Sequence, residues 1–298
     1  MGVNLQGIVP PLVTPFWDDG RLDLRAFEAN LEAYSGHDLA GYLVLGSNGE
    51  AASLEEDEKL ALVGVARAQA GARLLLAGTG LESTRATIAL TKKAADRGVD
   101  AALVLTPSYY KARMTPEALQ RHFETVAEAS PIPVLIYSVP AFTGLPWPAS
   151  LTPVLAAHPR IAGMKESSGD IGLLGRIVAS APPSFLVVCG SAPVLYPALC
   201  LGASAGIVAA ACCAPALVIA LYEAFRVGDH ARARKLQQAI APLATAVTAT
   251  HGVAGLKRAL DLAGFSGGAV RAPLLPAPRS LDGELRDLLA HAQAATVA

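Results

Sequence analysis

Lys165 stands at the end of a short apolar run, residues 160–165, and Glu166, Ser167 and Ser168 follow it directly. A charged lysine at the tip of an otherwise apolar segment is costly to bury unless it is exposed or takes part in chemistry. Burial disfavours the ammonium form of a lysine, and a neutral amine can attack a carbonyl carbon. Lys165 is therefore a candidate Schiff-base nucleophile. The alternative is an ordinary solvated charge at the end of a strand.

Polar side chains and glycines also follow other apolar runs of the chain. Ser47 and Asn48 lie between two glycines, and backbone amides in such a loop could bind a carboxylate, although glycines of this kind more often simply form a turn. Tyr137 ends another run, and a phenol beside a lysine can shuttle protons, although a core tyrosine would give the same pattern. Tyr109 and Gly190 follow two further runs.

The elements that must position these residues are eight short β-prone segments in the first two-thirds of the chain. They span residues 7–13, 41–46, 74–78, 101–105, 134–137, 161–165, 185–189 and 205–208. Their continuous apolarity is typical of parallel strands that are covered on both faces. Amphipathic stretches of helical length separate most of them, and one is predicted to begin with a capping box at residues 53–56. Repeated βα units of this size predict an α/β fold, a (β/α)8 TIM barrel, with a doubly wound sheet as the alternative.

The strand pattern stops near residue 212, and helical patterns follow at 216–227, 230–250 and 253–263 before a proline-rich segment at 271–278. We therefore expect a barrel catalytic domain in residues 1–212 and a C-terminal helical extension in residues 213–298. Because the carboxyl ends of barrel strands meet at one rim, the polar residues above are expected to gather there.

The composition argues against several classes of protein. A formal net charge of -1 provides no excess of positive charge that would attract nucleic acid or an anionic membrane. The chain shows neither a signal-like start nor an uninterrupted apolar span, so a soluble cytoplasmic protein is expected. Neither a metal nor another cofactor is expected, because no histidine, cysteine or carboxylate cluster has ligand spacing. The cysteines, expected to be buried structural thiols, are Cys189, Cys200, Cys212 and Cys213.

Taken together, these motifs resemble the dihydrodipicolinate synthase / N-acetylneuraminate lyase superfamily of class I, Schiff-base-forming pyruvate aldolases. The resemblance covers nearly the whole chain, and its motifs are residues 10–16, the Gly-x-x-Gly-Glu loop at 46–50, Thr106-Pro107, Tyr137-x-x-Pro140 and Gly163-Met164-Lys165. Within the superfamily the chain is most similar to the mitochondrial type of 4-hydroxy-2-oxoglutarate aldolase. That likeness lies in residues 46–50, 74–78 with 82–84, 137–140 with 143–144, and 271–274.

The resemblance implies a role for each candidate residue. Lys165 would form an imine with a 2-oxo acid, and Tyr137 would move protons with Ser47 and, from a neighbouring subunit, Tyr109. The backbone amides of Ser47 and Asn48, with the Ser47 hydroxyl, would hold the carboxylate of pyruvate. The residues that would contact the distal part of the substrate are Ser167 and Gly190. A tyrosine shared across an interface implies a dimer, and the family usually pairs dimers into homotetramers.

Substrate choice depends most on Phe142. Dihydrodipicolinate synthases carry an arginine at this position, which holds the carboxylate of the aldehyde substrate, and two threonines at the positions of Ser47 and Asn48. The resemblance thus favours cleavage of 4-hydroxy-2-oxoglutarate to pyruvate and glyoxylate. Three alternative functions remain open. They are a 4-hydroxy-tetrahydrodipicolinate synthase, which condenses pyruvate with aspartate semialdehyde, a 2-keto-3-deoxy-sugar-acid aldolase, and a dehydratase. A catalytically silent barrel that senses 2-oxo acids is a fourth alternative, although it would not need both Lys165 and Tyr137.

Overall fold

Eight parallel strands form one sheet in the computed structural model, which describes residues 3–297. The strands are β1 (Gly7–Val9), β2 (Gly41–Val44), β3 (Leu74–Gly78), β4 (Ala101–Leu105), β5 (Val134–Ser138), β6 (Ile161–Glu166), β7 (Leu186–Cys189) and β8 (Ala205–Ile207). Consecutive strands from β2 to β8 pair with each other, and β8 pairs with β1. This order is that of a barrel, so the predicted (β/α)8 TIM fold is confirmed.

The segment just beyond β1 closes the barrel against β2. Leu12 N donates a hydrogen bond to Leu43 O at 2.8 Å, and Leu43 N donates to Pro10 O at 3.2 Å. Pro11 lies between these two bonds, which together form an isolated parallel bridge between Pro11 and Leu43. The interior of the barrel is filled with apolar side chains, among them Val9, Leu43, Leu76, Leu103, Leu135, Val188 and Ile207.

Helices cover the outside of the barrel and bury a second, larger apolar cluster against the strands. They are α1 (Leu24–Ser35), α2 (Glu56–Ala70), α3 (Thr84–Ala95), α4 (Pro116–Ala129), α5 (Pro140–Thr143), α6 (Leu151–Ala156), α7 (Ile171–Ser180), α8 (Leu195–Leu201) and α9 (Ala210–Cys213). The C-terminal helices are α10 (Pro215–Arg226), α11 (His230–Thr245), α12 (Gly252–Leu262) and α13 (Asp282–Val297). Helix α11 packs against both α10 and α13, and α12 packs against α9.

Three local expectations from the sequence were wrong. The capping box of α2 is formed by Glu55 and Glu58 rather than at residues 53–56, because residues 51–53 form a separate 3-10 turn before the helix. The proline-rich segment does not end the helical region, since α13 follows it. Cys200 is exposed near the end of α8, whereas the other three cysteines are buried.

Candidate active site

Lys165 and Tyr137 lie side by side at the carboxyl end of the barrel. They are register partners on β6 and β5, and each is the last residue but one of its strand. Paired residues of parallel strands point to the same face of a sheet, and Tyr137 packs with the inner apolar cluster. The Lys165 Nζ atom lies 4.4 Å from the centre of the Tyr137 ring. The sequence placed both residues at the same rim, and the structure brings them into contact.

The described residues include two buried lysines, and their surroundings differ. Lys257, on α12, places its amine 2.5 Å from Glu50 Oε1 and donates a hydrogen bond to Ala269 O at 2.5 Å. Burial lowers the pKa of Lys257, and the Glu50 carboxylate opposes that effect. Lys165 is only 4% exposed, yet within residues 3–297 its amine has neither a hydrogen-bond partner nor an ion-pair partner. Of the two amines, that of Lys165 is the one left free to react.

The loop after β2 presents unoccupied backbone donors beside this lysine–tyrosine pair. Ser47–Gly49 forms a single 3-10 turn, and the first N–H groups of such a turn have no partner within it. No described acceptor lies within hydrogen-bonding distance of the Ser47 and Asn48 N–H groups. The Ser47 hydroxyl is 3.4 Å from the Tyr137 hydroxyl. The loop therefore brings two free backbone N–H donors and a hydroxyl next to Tyr137.

Backbone strain accompanies this loop. Leu45 and Glu50, at its two ends, have φ angles of 58° and 52°, a left-handed conformation that costs a residue with a side chain about 1–3 kcal/mol. The carbonyl of Leu45 turns toward Gly78 of β3. Only glycine fits at position 78, because a Cβ atom there would collide with the Leu45 carbonyl oxygen. Strain of this kind persists only where surrounding contacts hold the loop in place.

Tyr109 is held on the rim but does not reach Tyr137 of its own chain. Its side chain is 77% exposed and meets Tyr110 edge-on, with 5.0 Å between the ring centres. The Glu82 carboxylate accepts hydrogen bonds from the N–H groups of Ser108 at 2.9 Å and Tyr109 at 2.8 Å. The sequence analysis missed Glu82, although its position just after β3 places it on the same rim.

Gly190 and Ser167 lie directly against the lysine. A Cβ atom on Gly190 would collide with Ser167 Oγ and would come within 2.9 Å of Lys165 Cε. The Gly190 N–H donates a hydrogen bond to Glu166 O at 2.7 Å, which fixes the glycine to the end of β6. The Ser167 hydroxyl is buried without a partner among the described residues, so it is available to a bound molecule.

Glu166 and Cys189 lie behind the lysine, at neighbouring positions of β6 and β7. Burial raises the pKa of the Glu166 carboxyl, although hydrogen bonds from Ser168 oppose this rise. Burial also raises the pKa of the Cys189 thiol, to about 12. A thiol with so high a pKa is not a nucleophile near neutral pH, so Cys189 does not compete with Lys165.

Phe142 lies at the edge of the rim, on the short helix α5. Its ring is 65% exposed, and it provides no charge that could pair with a carboxylate. Gly144 ends the same helix, and a Cβ atom there would lie 2.9 Å from the Lys111 amine. A cationic side chain therefore lies near Phe142, but it comes from the loop after β4 and not from position 142.

Two kinds of feature are absent from residues 3–297. No group of three or more histidine, cysteine or carboxylate side chains is arranged to hold a metal ion. None of the described helices is long and apolar enough to cross a membrane.

The comparisons with known proteins agree on one family. The model of the dihydrodipicolinate synthetase family matches residues 4–292. A 4-hydroxy-tetrahydrodipicolinate synthase of Methanoculleus marisnigri is 36% identical over 290 residues, 96% of this chain and 99% of the relative. The structure of the corresponding synthase from Methylacidiphilum fumariolicum SolV superposes with a TM-score of 0.92 at 28% identity, covering 99% and 98% of the two chains. Dihydrodipicolinate synthase from Acinetobacter baumannii, complexed with pyruvate, gives a TM-score of 0.91 at 29% identity, with coverage of 97% and 99%.

Proposed function

The chain belongs to the dihydrodipicolinate synthetase family, and we propose that it is a class I aldolase whose Lys165 forms a Schiff base with a 2-oxo acid. Members of this family are lyases that act on pyruvate. The observation that carries the proposal is the unpaired amine of Lys165, buried beside the Tyr137 ring. The Tyr137 hydroxyl in turn lies 3.4 Å from Ser47 Oγ, in the turn with the free amides of Ser47 and Asn48. A nucleophile, a proton carrier and a carboxylate site are the parts that imine formation needs.

In the first step, the Lys165 amine attacks the ketone carbon of the substrate. The amides of Ser47 and Asn48 hold the adjacent carboxylate and so orient the ketone toward the amine. The relay through Tyr137 moves one proton of the attacking amine to the carbonyl oxygen, and Tyr137 then gives that oxygen a second proton. The oxygen leaves as water, and an iminium ion remains on Lys165. Ser47, 3.4 Å from the Tyr137 hydroxyl, passes protons to and from it.

In the second step, the iminium ion accepts electrons from the bond that breaks. With 4-hydroxy-2-oxoglutarate, the relay through Tyr137 removes the proton of the 4-hydroxyl, and the C3–C4 bond breaks to release glyoxylate. The electron pair of that bond forms an enamine on Lys165. The relay then returns the proton to C3, and water hydrolyses the imine to release pyruvate.

We propose 4-hydroxy-2-oxoglutarate as the substrate because Phe142 provides an apolar ring where an arginine would otherwise pair with the carboxylate of aspartate semialdehyde. Ser167 and Gly190 contact the distal part of the substrate, since the free Ser167 hydroxyl lies over Gly190 beside Lys165. The Lys111 amine, which lies beside Gly144 at the end of the same helix, is a cationic group that could meet a second carboxylate.

A second candidate function is 4-hydroxy-tetrahydrodipicolinate synthesis, and the names of the relatives favour it. The proteins of Methanoculleus marisnigri and of an Exiguobacterium strain, 36% and 35% identical to this chain, both carry that name. Both candidates share the imine on Lys165 and differ only in the partner of the pyruvate enamine. A few side chains at the rim decide such a difference.

We also propose that the active unit is a dimer, within a homotetramer, in which Tyr109 of one subunit completes the proton relay of its neighbour. The support for this arrangement is that Tyr109 is exposed on the rim, while the Glu82 carboxylate fixes its backbone. An exposed tyrosine held in this way suits a shared interface.

The experiment that tests the proposed function is borohydride trapping. Pyruvate with borohydride should add one reduced pyruvate to the protein, at Lys165, and peptide mapping should show no label on Lys257. A panel of substrates should then release pyruvate from 4-hydroxy-2-oxoglutarate. If Lys165→Ala is labelled as fully as wild type, the Schiff-base mechanism is wrong. If wild type traps pyruvate but cleaves nothing in the panel, a silent 2-oxo-acid sensor replaces the aldolase.

A further inference from the structure

Lys257 and Glu50 form an ion pair that the proposed mechanism does not use. Both residues are buried, with 1% and 4% of their surface exposed, and their charged atoms lie 2.5 Å apart. Burying two charges is costly, and apolar residues of similar volume often replace such a pair without loss of stability. The presence of the pair is therefore weak evidence for a stabilising role. The position of this pair in the fold points to its role.

Glu50 is the last residue of the carboxylate-binding loop, which we define as Gly46–Glu50. Its N–H donates to Ser47 O at 3.1 Å, and its own φ angle is 52°. Its other carboxylate oxygen accepts the N–H of Arg271 at 2.9 Å, although the two residues are 221 positions apart. The carboxylate thus joins the loop to two separate parts of the C-terminal segment.

The C-terminal groups that meet Glu50 are themselves fixed. The Lys257 amine lies 4.5 Å from the centre of the Phe16 ring, and the Arg271 guanidinium lies 4.3 Å from it. Arg271 also forms a bidentate pair with Glu58 of α2, at 2.6 and 2.7 Å. On the barrel side, the Thr14 hydroxyl donates to Gly49 O at 2.7 Å. The strained loop is therefore held from the barrel and from the extension together.

We propose that Lys257 is a positioning residue for the carboxylate-binding loop, so that residues 213–298 complete the active site rather than forming an appended domain. The inference rests on the proposed function, because it assigns that loop to the substrate carboxylate. Lys257 touches no substrate. It neutralises Glu50, and Glu50 in turn keeps the free amides of Ser47 and Asn48 aimed at the site.

The test uses three variants and a matched control, all as full-length protein. Lys257→Met keeps the length and packing of the side chain but leaves the Glu50 charge unpaired. Glu50→Gln removes that charge and can still accept the Arg271 N–H. The double variant carries both changes and has no buried charge at this place. The control is Arg258→Met, because Arg258 is the next residue of α12 and pairs with Asp282 of α13 away from the loop.

The measurement is the pyruvate concentration that gives half-maximal borohydride trapping, taken below the melting temperature of each variant. Lys257→Met should raise this concentration about tenfold or more, with a smaller effect on the trapping rate at saturation, because an unpaired buried charge distorts its surroundings. The double variant should return to within about threefold of wild type, and Arg258→Met should stay within about twofold.

Three results separate the possible failures. If wild type traps no pyruvate, the proposed function fails first. If wild type traps pyruvate and Lys257→Met melts earlier but keeps the wild-type half-saturating concentration, Lys257 is only structural and the inference is wrong. If Lys257→Met does not fold, Glu50→Gln decides: a rise of at least about threefold supports positioning, and a wild-type value overturns it.

Discussion

Gly190→Ala should disable the proposed nucleophile without unfolding the barrel. The new methyl group would collide with Ser167 Oγ and press on Lys165 Cε, which would lie 2.9 Å away. The backbone has little freedom to yield, because Gly190 N–H is bonded to Glu166 O at 2.7 Å and β7 is paired with β6 below it. The φ angle of Gly190 is not in the left-handed region, so an alanine can adopt this backbone. The side chains of Ser167 and Lys165 must therefore move.

The size of the effect follows from the strain that one extra methyl group causes in a packed site. Such overpacking costs about 1–3 kcal/mol. If that strain falls on Lys165 in the approach to the imine, the rate of trapping falls by about 5- to 150-fold, since each 1.36 kcal/mol of barrier changes a rate tenfold. If it falls mainly on Ser167, the loss appears instead as weaker binding of the distal part of the substrate.

The assay compares the rate of pyruvate trapping by borohydride in wild type and Gly190→Ala, with near-ultraviolet circular dichroism to confirm native packing. Gly64→Ala is the matched control, because Gly64 lies within α2 and a Cβ atom there would meet nothing within 4 Å. The control should trap pyruvate at the wild-type rate. Equal trapping and equal substrate cleavage by Gly190→Ala would refute the placement of Gly190 against the reacting groups.

Three further predictions test separate parts of the molecule. Tyr137→Phe should keep the fold and still bind pyruvate but lose about 100-fold in turnover, the usual scale for a proton-transfer group; turnover within threefold of wild type would make Tyr137 a core residue only. Wild type should cleave 4-hydroxy-2-oxoglutarate at least about tenfold more efficiently than it condenses pyruvate with aspartate semialdehyde, and Phe142→Arg should narrow this gap in kcat/KM unless Lys111 repels the new charge. Burial lowers the pKa of His122 to about 4, so the neutral ring stabilises the fold above pH 6.5 and this contribution is lost as the pH falls toward 4. Wild type should therefore lose about 2 kcal/mol more unfolding free energy than His122→Gln between pH 7 and pH 5 in urea titrations, and equal losses would contradict the burial of His122.

The sequence predicted most of the barrel because its signals are local. Runs of apolar residues and the amphipathic stretches between them depend on neighbours a few positions away, and so does the place where each strand ends. Lys165 and Tyr137 could be placed on one rim by that reasoning alone, before any distance was known. The start of α2 was misplaced because a 3-10 turn at residues 51–53 stands where the helix was expected, and helix ends are the least certain part of such patterns.

Glu82 and Lys257 were missed for different reasons. Glu82 lies in one of the stretches that carry the family likeness, but nothing in that stretch indicates a role for its carboxylate. The role depends on the N–H groups of Ser108 and Tyr109, which only the fold brings to it. Lys257, in contrast, could have been recognised from the sequence. It occupies position i+4 of an apolar helical face whose other members are Val253 (i), Leu256 (i+3) and Leu260 (i+7). A lysine on an apolar face of this kind should be read as buried and paired.

The sequence by itself determined the barrel, the rim and the lysine that stands at a strand end there, because each of these depends on short-range periodicity. Only the tertiary structure decided which buried lysine is free to react. Lys257 is occupied by Glu50 and Lys165 has no such partner, a difference that arises when the C-terminal segment packs against the loop after β2. Arg271 and Glu50 are 221 positions apart in the sequence, and their contact forms only when the barrel closes and the C-terminal helices pack against it. No local pattern of residues encodes a contact of this kind.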